Sequence, residues 1–316
     1  MIISDMTLFK ISLKKSKNFS LTEILVVVGI VILLATMTIA VYDHIREKAV
    51  YTAWEGSKEQ IDQDPSCLAH YVFDKKYSFT REKKKYNPSR TITYYQNLAN
   101  YAGDLNSGWD KDRTRMEVID DDGDGVFDEC TYVEDGGRFP NMGGIHFNAT
   151  DEGLRVRNRS LCPERMTLEV WVFMEETSDS QYFADRYYYD WPVRSGYRFY
   201  ENGNRLCARV YYQKPDGSYG NKYLYTDSIL DDLEDQWIHL AMTFDGTTIK
   251  LFVNGVVEKS VSYTPFVISG AGSDYIEIGD NYGGYMGEFL LFDRALSETE
   301  IFGHYDQGAP IDPTEL

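Results

Sequence analysis

From Ile24 to Tyr42 the chain reads ILVVVGIVILLATMTIAVY, without a single charged residue. About 19 residues in an α-helix rise nearly 30 Å, enough to cross the hydrocarbon core of a bilayer. Lys10, Lys14, Lys15 and Lys17 stand just ahead of the run. Positive charge on the leading flank keeps the N-terminus in the cytoplasm, so everything beyond Tyr42 would be translocated. A cleavable secretory signal has a shorter apolar core. Glu23 sits at the front edge of the run, where a carboxylate is costly and is kept for a reason.

Helical character continues through YDHIREKAVYTAWEGSKEQIDQ, with mixed charges at helical spacing. Pro65 marks an end, because the residue before a proline disfavours helix. The expectation is one helix over residues 19–63, half in the membrane and half outside it. The segment KKSKNFSLTEILVVVGIVILL resembles the leader and first helix of type IV pilins and type II secretion pseudopilins. That resemblance implies a leader over residues 1–18 and cleavage by a prepilin peptidase before Phe19, which becomes N-methylated. It also implies that Glu23 meets the new amino terminus of another pilin-like subunit. Asn18 stands where the family has glycine. Without cleavage, the helix remains an ordinary single-pass anchor.

Residues 64–142 show no clean periodicity and read as a linker, with the basic run REKKKYNPSR as a solvated loop. Within it, Asp120, Asp122 and Asp124 alternate ahead of Gly125, and Asp128 follows. Alternating carboxylates in a tight turn converge on one point, which suits a structural calcium ion. The loop over 120–129 departs from an EF-hand, since Thr131 occupies the twelfth position. It resembles the Asp-rich loops of thrombospondin type 3 repeats.

From Gly143 onward, short apolar runs alternate with turns. TLEVWVFM, WIHLAMTF, TIKLFV and YIEIG read as strands. Asn254-Gly255 is a two-residue hairpin signal, because both positions favour positive φ. Ser297 and Glu300 form a capping box ahead of a short closing helix. Many short strands without intervening helices indicate an antiparallel sandwich or jelly roll.

The order GGIHFNATDEGLRVRN, TLEVWVF, QWIHLAMTFDGTTIKLFVNGVV, then GGYMGEFLLFDRALSETEI is similar to laminin-G-like (concanavalin A-like lectin/glucanase) domains. The resemblance covers residues 143–308, leaving a tail over 309–316. It implies binding of a glycan or a surface protein, and it leaves Asp151, Glu152, Asp280 and Glu288 as candidates for a rim cation. The aromatic-rich stretches Asp185–Gly203 and Gly279–Gly287 suggest a ligand rim of Tyr187, Tyr188, Trp191, Tyr282 and Tyr285.

The fold class expected is therefore α+β: a long N-terminal transmembrane α-helix followed by an antiparallel β-sandwich (jelly roll). The compartment expected is the inner (cytoplasmic) membrane, single-pass, with the C-terminal domain periplasmic or extracellular, in a pilus or pseudopilus. A net charge of −18 argues against a nucleic-acid partner. The sequence lacks the E-x-D-x-x-E strand of related glucanases, a G-x-S-x-G elbow, a Walker loop and H-E-x-x-H. Glu169 stands alone in mid-strand and His239 reads as structural, so no enzyme is expected. Cys67, Cys130, Cys162 and Cys207 allow three complete disulfide pairings, permitted outside the cytoplasm.

Overall fold

The computed structural model describes residues 21–83, 90–96, 98–99, 116–118, 130–149, 153–157, 161–175, 180–190, 192–227, 230–270 and 275–310. Asn18, Phe19, the Asp120–Asp128 loop, Asp151, Glu152 and Trp191 lie outside them. The chain divides into two compact units, 1–48 and 49–316.

Helix α1 runs Leu21–Gln63, close to the bounds expected. In the first unit its aliphatic side chains are exposed, Leu25 by 62% and Val31 by 58%. Among the described residues, no helix is long and apolar enough to cross a membrane.

The second unit is built on two antiparallel sheets. Sheet A has the order β17 (Val256–Ser262), β16 (Thr248–Val253), β15 (Trp237–Phe244), β8 (Met166–Met174), β19 (Gly283–Phe292), β6 (Gly144–Asn148), β5 (Cys130–Val133). β1 (Cys67–Val72) also pairs with β19. Sheet B has the order β14 (Tyr219–Tyr225), β13 (Arg205–Gln213), β12 (Tyr197–Asn202), β9 (Gln181–Asp185), β18 (Tyr275–Ile278), β7 (Leu154–Arg157), β4 (Met116–Val118), β3 (Arg90–Tyr95), β2 (Ser78–Lys83). β10 (Tyr188–Asp190) and β11 (Val193–Ser195) form a separate hairpin.

The main core lies between the sheets, where Leu168, Val170 and Val172 of β8 meet Phe183, Phe199 and Ile276. Fold-specifying turns follow the sequence. Asn254 and Gly255 have φ of 49° and 76°, and Val253 pairs with Val256 across them. A Cβ on Gly255 would meet Phe302 and Tyr305 of the closing helix α2 (Glu298–Gly308) at about 3.1 Å. The Ser297–Glu300 capping box starts α2 with both reciprocal hydrogen bonds in place.

Residues 64–142 differ from the linker expected. They contribute β1 to sheet A beside β19, β5 beside β6, and β2–β4 to the end of sheet B. Part of the basic run falls in β2 and β3, so it is not simply a loop. β1 pairs with β19, far away in sequence, where no local period announces the pairing, whereas β2 pairs with β3 and β5 with β6 close by.

The part of α1 in this unit is not a free stem either. Trp54 packs with Val72, Phe139 and Met142, and Ile61 packs with Leu290, Phe292 and Ile301. Cys67, Cys162 and Cys207 are free thiols, which excludes all three complete pairings.

Candidate functional site

Alternation along a strand sends successive side chains to opposite faces. On sheet B, Phe183, Phe199, Leu206, Ala208 and Leu224 turn inward to the core, so their neighbours line the outer face. Register then sets these neighbours in rows. One row runs Tyr182, Tyr200, Cys207, Tyr225, and the next runs Asp185, Arg198, Arg209, Tyr223.

The rows form ladders of aromatic rings and guanidinium groups. Tyr182 and Tyr200 stack at 5.4 Å, and Tyr223 and Tyr225 at 6.4 Å. The Arg198 guanidinium lies 4.2 Å from the Tyr187 ring and pairs with Asp185 at 3.0 Å. Such cation–π stacking holds an arginine flat against a ring. Tyr223 and Tyr225 are 60% and 45% exposed. Beside them opens a groove of about 440 Å³, lined by Tyr200, Asn202, Arg205, Cys207, Arg209, Tyr223 and Tyr225. Burial, helped by nearby Glu201, pushes the Cys207 thiol up to about 11, so the groove floor is a neutral thiol at pH 7. Burial likewise raises the Tyr200 phenol, which remains a hydrogen-bond donor.

The outer face of sheet A is closed. Trp54 and Ile61 of α1 and Ile301 of α2 pack over it. Beneath them, His70 bridges Asp62 at 2.6 Å and Glu288 at 2.5 Å. Glu288 also pairs with Arg138, and accepts from Trp54 Nε1 at 3.3 Å. The Arg138 guanidinium lies over the rings of Trp54, Phe139 and Trp171, the last at 4.7 Å. A second cluster joins Glu169 to His239 Nε2 at 2.9 Å and to His304 Nδ1 at 3.0 Å.

These charges compensate one another. Burial disfavours the Glu288 carboxylate, but Arg138 and His70 hold its carboxyl far below the usual range. Burial also opposes Glu169, yet His304 and His239 bring it down to about 2.

The rim expected from the sequence does not assemble. Tyr282 is fully buried in the main core, its hydroxyl donating to the carbonyl of Phe173 at 2.8 Å. Tyr285 lies on the outer side of sheet A against His146 and Phe173. Tyr187 packs on Tyr211 at 4.6 Å at the edge of the sheet B face, and half-exposed Tyr188 lies in the β10–β11 hairpin. Glu288 is consumed by His70 and Arg138 and is not available to a rim cation. Among the described residues, no group of three or more His, Cys, Asp or Glu is arranged to hold a metal. The calcium loop falls outside them.

The groove residues Tyr200, Arg205, Arg209, Tyr223 and Tyr225 were not singled out by the sequence. Their signal was present as period-two alternation in YRFYEN, RLCARVYYQ and YGNKYLY.

Two packed antiparallel sheets, one with its outer face largely covered and one with its outer face open, define a jelly-roll-like β-sandwich. Residues 148–302 match the concanavalin A-like lectin/glucanases superfamily. No curated protein matches the chain. Among solved structures, the binding domain of Paraclostridial Mosquitocidal Protein 1 is similar at 14% identity and TM-score 0.50, over 76% of this chain and 52% of that one. The botulinum neurotoxin serotype D ligand binding domain in complex with N-acetylneuraminic acid has 13% identity and TM-score 0.49, over 79% and 52%. Domain 4 of an extracellular arabinanase from Geobacillus stearothermophilus, in complex with arabinotriose, has 16% identity and TM-score 0.42, over 76% and 98%. The chain spans about half the length of the toxin domains. With 258 solved chains matching, the likeness identifies a fold and not an activity.

Proposed function

We propose that the chain is a membrane-anchored surface protein that binds saccharides on the outer face of sheet B, and that it is not an enzyme. The observation that carries this reading is the open groove of stacked, exposed tyrosines beside Arg205, Arg209 and Asn202. A sugar ring offers apolar C–H faces to aromatic rings and hydroxyls to guanidinium and amide groups. Glu169, the acid in mid-strand of β8, is buried between two histidines. That burial supports binding without hydrolysis.

For the N-terminal region the reading rests on sequence. The lysine-flanked run from Ile24 to Tyr42 is uncharged throughout, and the exposed aliphatic side chains of α1 need lipid or other helices to cover them. Processing before Phe19 would let Glu23 pair with a neighbouring subunit in a pilus or pseudopilus. The second reading, favoured by Asn18, is an uncleaved single-pass anchor with the same sandwich. Calcium in the Asp120–Asp128 loop would be structural.

A glycan array probed with the full chain in detergent tests the binding reading. Hits lost in Tyr223→Ala/Tyr225→Ala support it, and an array without hits, with and without calcium, removes it. The mass of the N-terminal peptide from native membranes separates the two anchors: N-methylated Phe19 supports processing, and retained Lys10–Lys17 removes it.

A further inference from the structure

Among the described residues, the arginines of sheet B that face outward fall into two kinds. Arg198 is paired with Asp185 and Arg155 with Glu277, each a cation already matched on the sheet. Arg205 and Arg209, the two that line the groove, pair with no carboxylate among the described residues. Arg209 donates from Nε to the side-chain oxygen of Asn221 at 3.2 Å and lies 5.5 Å from the Tyr211 ring. Arg205 lies 5.6 Å from the Tyr225 ring. Two acids lie near them, and the Arg205 charge adds to Lys259 in holding the Asp227 carboxyl below its ordinary value. Asp227 is paired with Lys259, and Glu201 is buried, accepting from the Asn204 backbone at 2.5 Å.

Among the described residues, no carboxylate lines the groove. This is notable in a chain that carries 50 acidic residues against 32 basic ones. Arg205 and Arg209 lie four residues apart on one side of β13, so their backbone positions stand about 13 Å apart along the strand, with Cys207 between them and tyrosines alongside. A planar guanidinium with free N–H groups matches carboxylate and sulfate oxygens in a fork.

Resting on the saccharide reading above, we infer that the groove selects acidic saccharides. Arg205 and Arg209 read a carboxylate or sulfate, while Tyr200, Tyr223 and Tyr225 carry the sugar rings. A neutral sugar would leave both cations without an anion in the groove. An acidic sugar gains charge-assisted hydrogen bonds that weaken as salt screens them.

The test is titration calorimetry of the full chain in neutral detergent with matched ligand pairs. These are trigalacturonate and its methyl ester, and sialyllactose and lactose, with a single-stranded oligonucleotide as a phosphate control. At least one acid is expected to bind about tenfold or more tightly than its neutral partner, with affinity falling as salt rises. Arg205→Gln and Arg209→Gln are each expected to lose about tenfold toward the acid and severalfold less toward the neutral partner, so that the acid-over-neutral ratio falls. Arg209→Lys is expected to retain part of the gain. Unchanged thermal midpoints show that any loss is not unfolding.

Equal binding of acid and ester, or unaffected Gln variants, overturns the inference and leaves saccharide binding standing. Tighter binding of the oligonucleotide than of any sugar acid overturns it in favour of phosphate. Absence of binding to every saccharide removes both this inference and the reading it rests on.

Discussion

The two outer faces of the sandwich carry similar residue types to opposite ends. On sheet A, His70, Glu288, Arg138, Glu169 and His239 lie buried under α1 and α2, each charge matched by a partner within hydrogen-bond reach. On sheet B, tyrosines and arginines alternate in the same way but meet solvent, and among the described residues Arg205 and Arg209 form no ion pair with a carboxylate. Buried charge survives only when compensated, so the closed face is committed to holding the fold. An open face of rings and cations has interaction capacity left over.

The comparison breaks most visibly at Glu288. Glu288→Ala would leave Arg138 buried without its anion and His70 with Asp62 alone, and is expected to remove about 3–5 kcal/mol. Urea denaturation of the full chain in detergent measures it, and a loss below about 1 kcal/mol would mean the face is wetter than described.

Next comes pH. Glu169, held at about 2 against an ordinary 4.5, stabilises the fold above pH 4.5 and ceases to do so as pH falls toward 2. That contribution is on the order of 3 kcal/mol, so Glu169→Gln should flatten the acid limb of a stability–pH curve. His70 works in the other direction. Burial opposes its charge, but hydrogen bonds to Asp62 and Glu288 raise its value above 6.5. Its contribution is full below pH 6.5 and is lost as pH rises through the raised value. His70→Gln should therefore reduce the decline of stability on the alkaline side.

On sheet B the effects move from stability to binding. Tyr200→Ala or Tyr225→Ala should weaken a bound saccharide by about 1–2 kcal/mol, the scale of a lost ring contact. The smallest effect sharpens the contrast. Tyr223→Ala should change unfolding free energy by less than about 0.5 kcal/mol, because that ring is 60% exposed.

Local signals carried much of the fold in the sequence. The Asn254-Gly255 hairpin, the Ser297–Glu300 cap and the strands around Trp171 and Trp237 all depend on residues a few positions apart. Within 64–142, β1 was invisible because its partner is remote, as where Tyr71 pairs with Phe289, while β2, β3 and β5 pair close by but carry no clean alternation. The rim failed for a related reason. Aromatic density marks where rings are, but only register tells which face receives them, and Tyr282 and Tyr285 part ways across β19. The histidine–carboxylate clusters needed α1 and α2 laid over the sheet before Asp62 could meet His70 or His304 could meet Glu169.

Hydroxyl-radical footprinting of the full chain, with and without a saturating saccharide from the array, tests the central claim most directly. The account predicts protection at Tyr200, Tyr223 and Tyr225, with Tyr285 and His146 on the other sheet unchanged. Protection of Tyr285 and His146, with the three groove tyrosines unaffected, would contradict it.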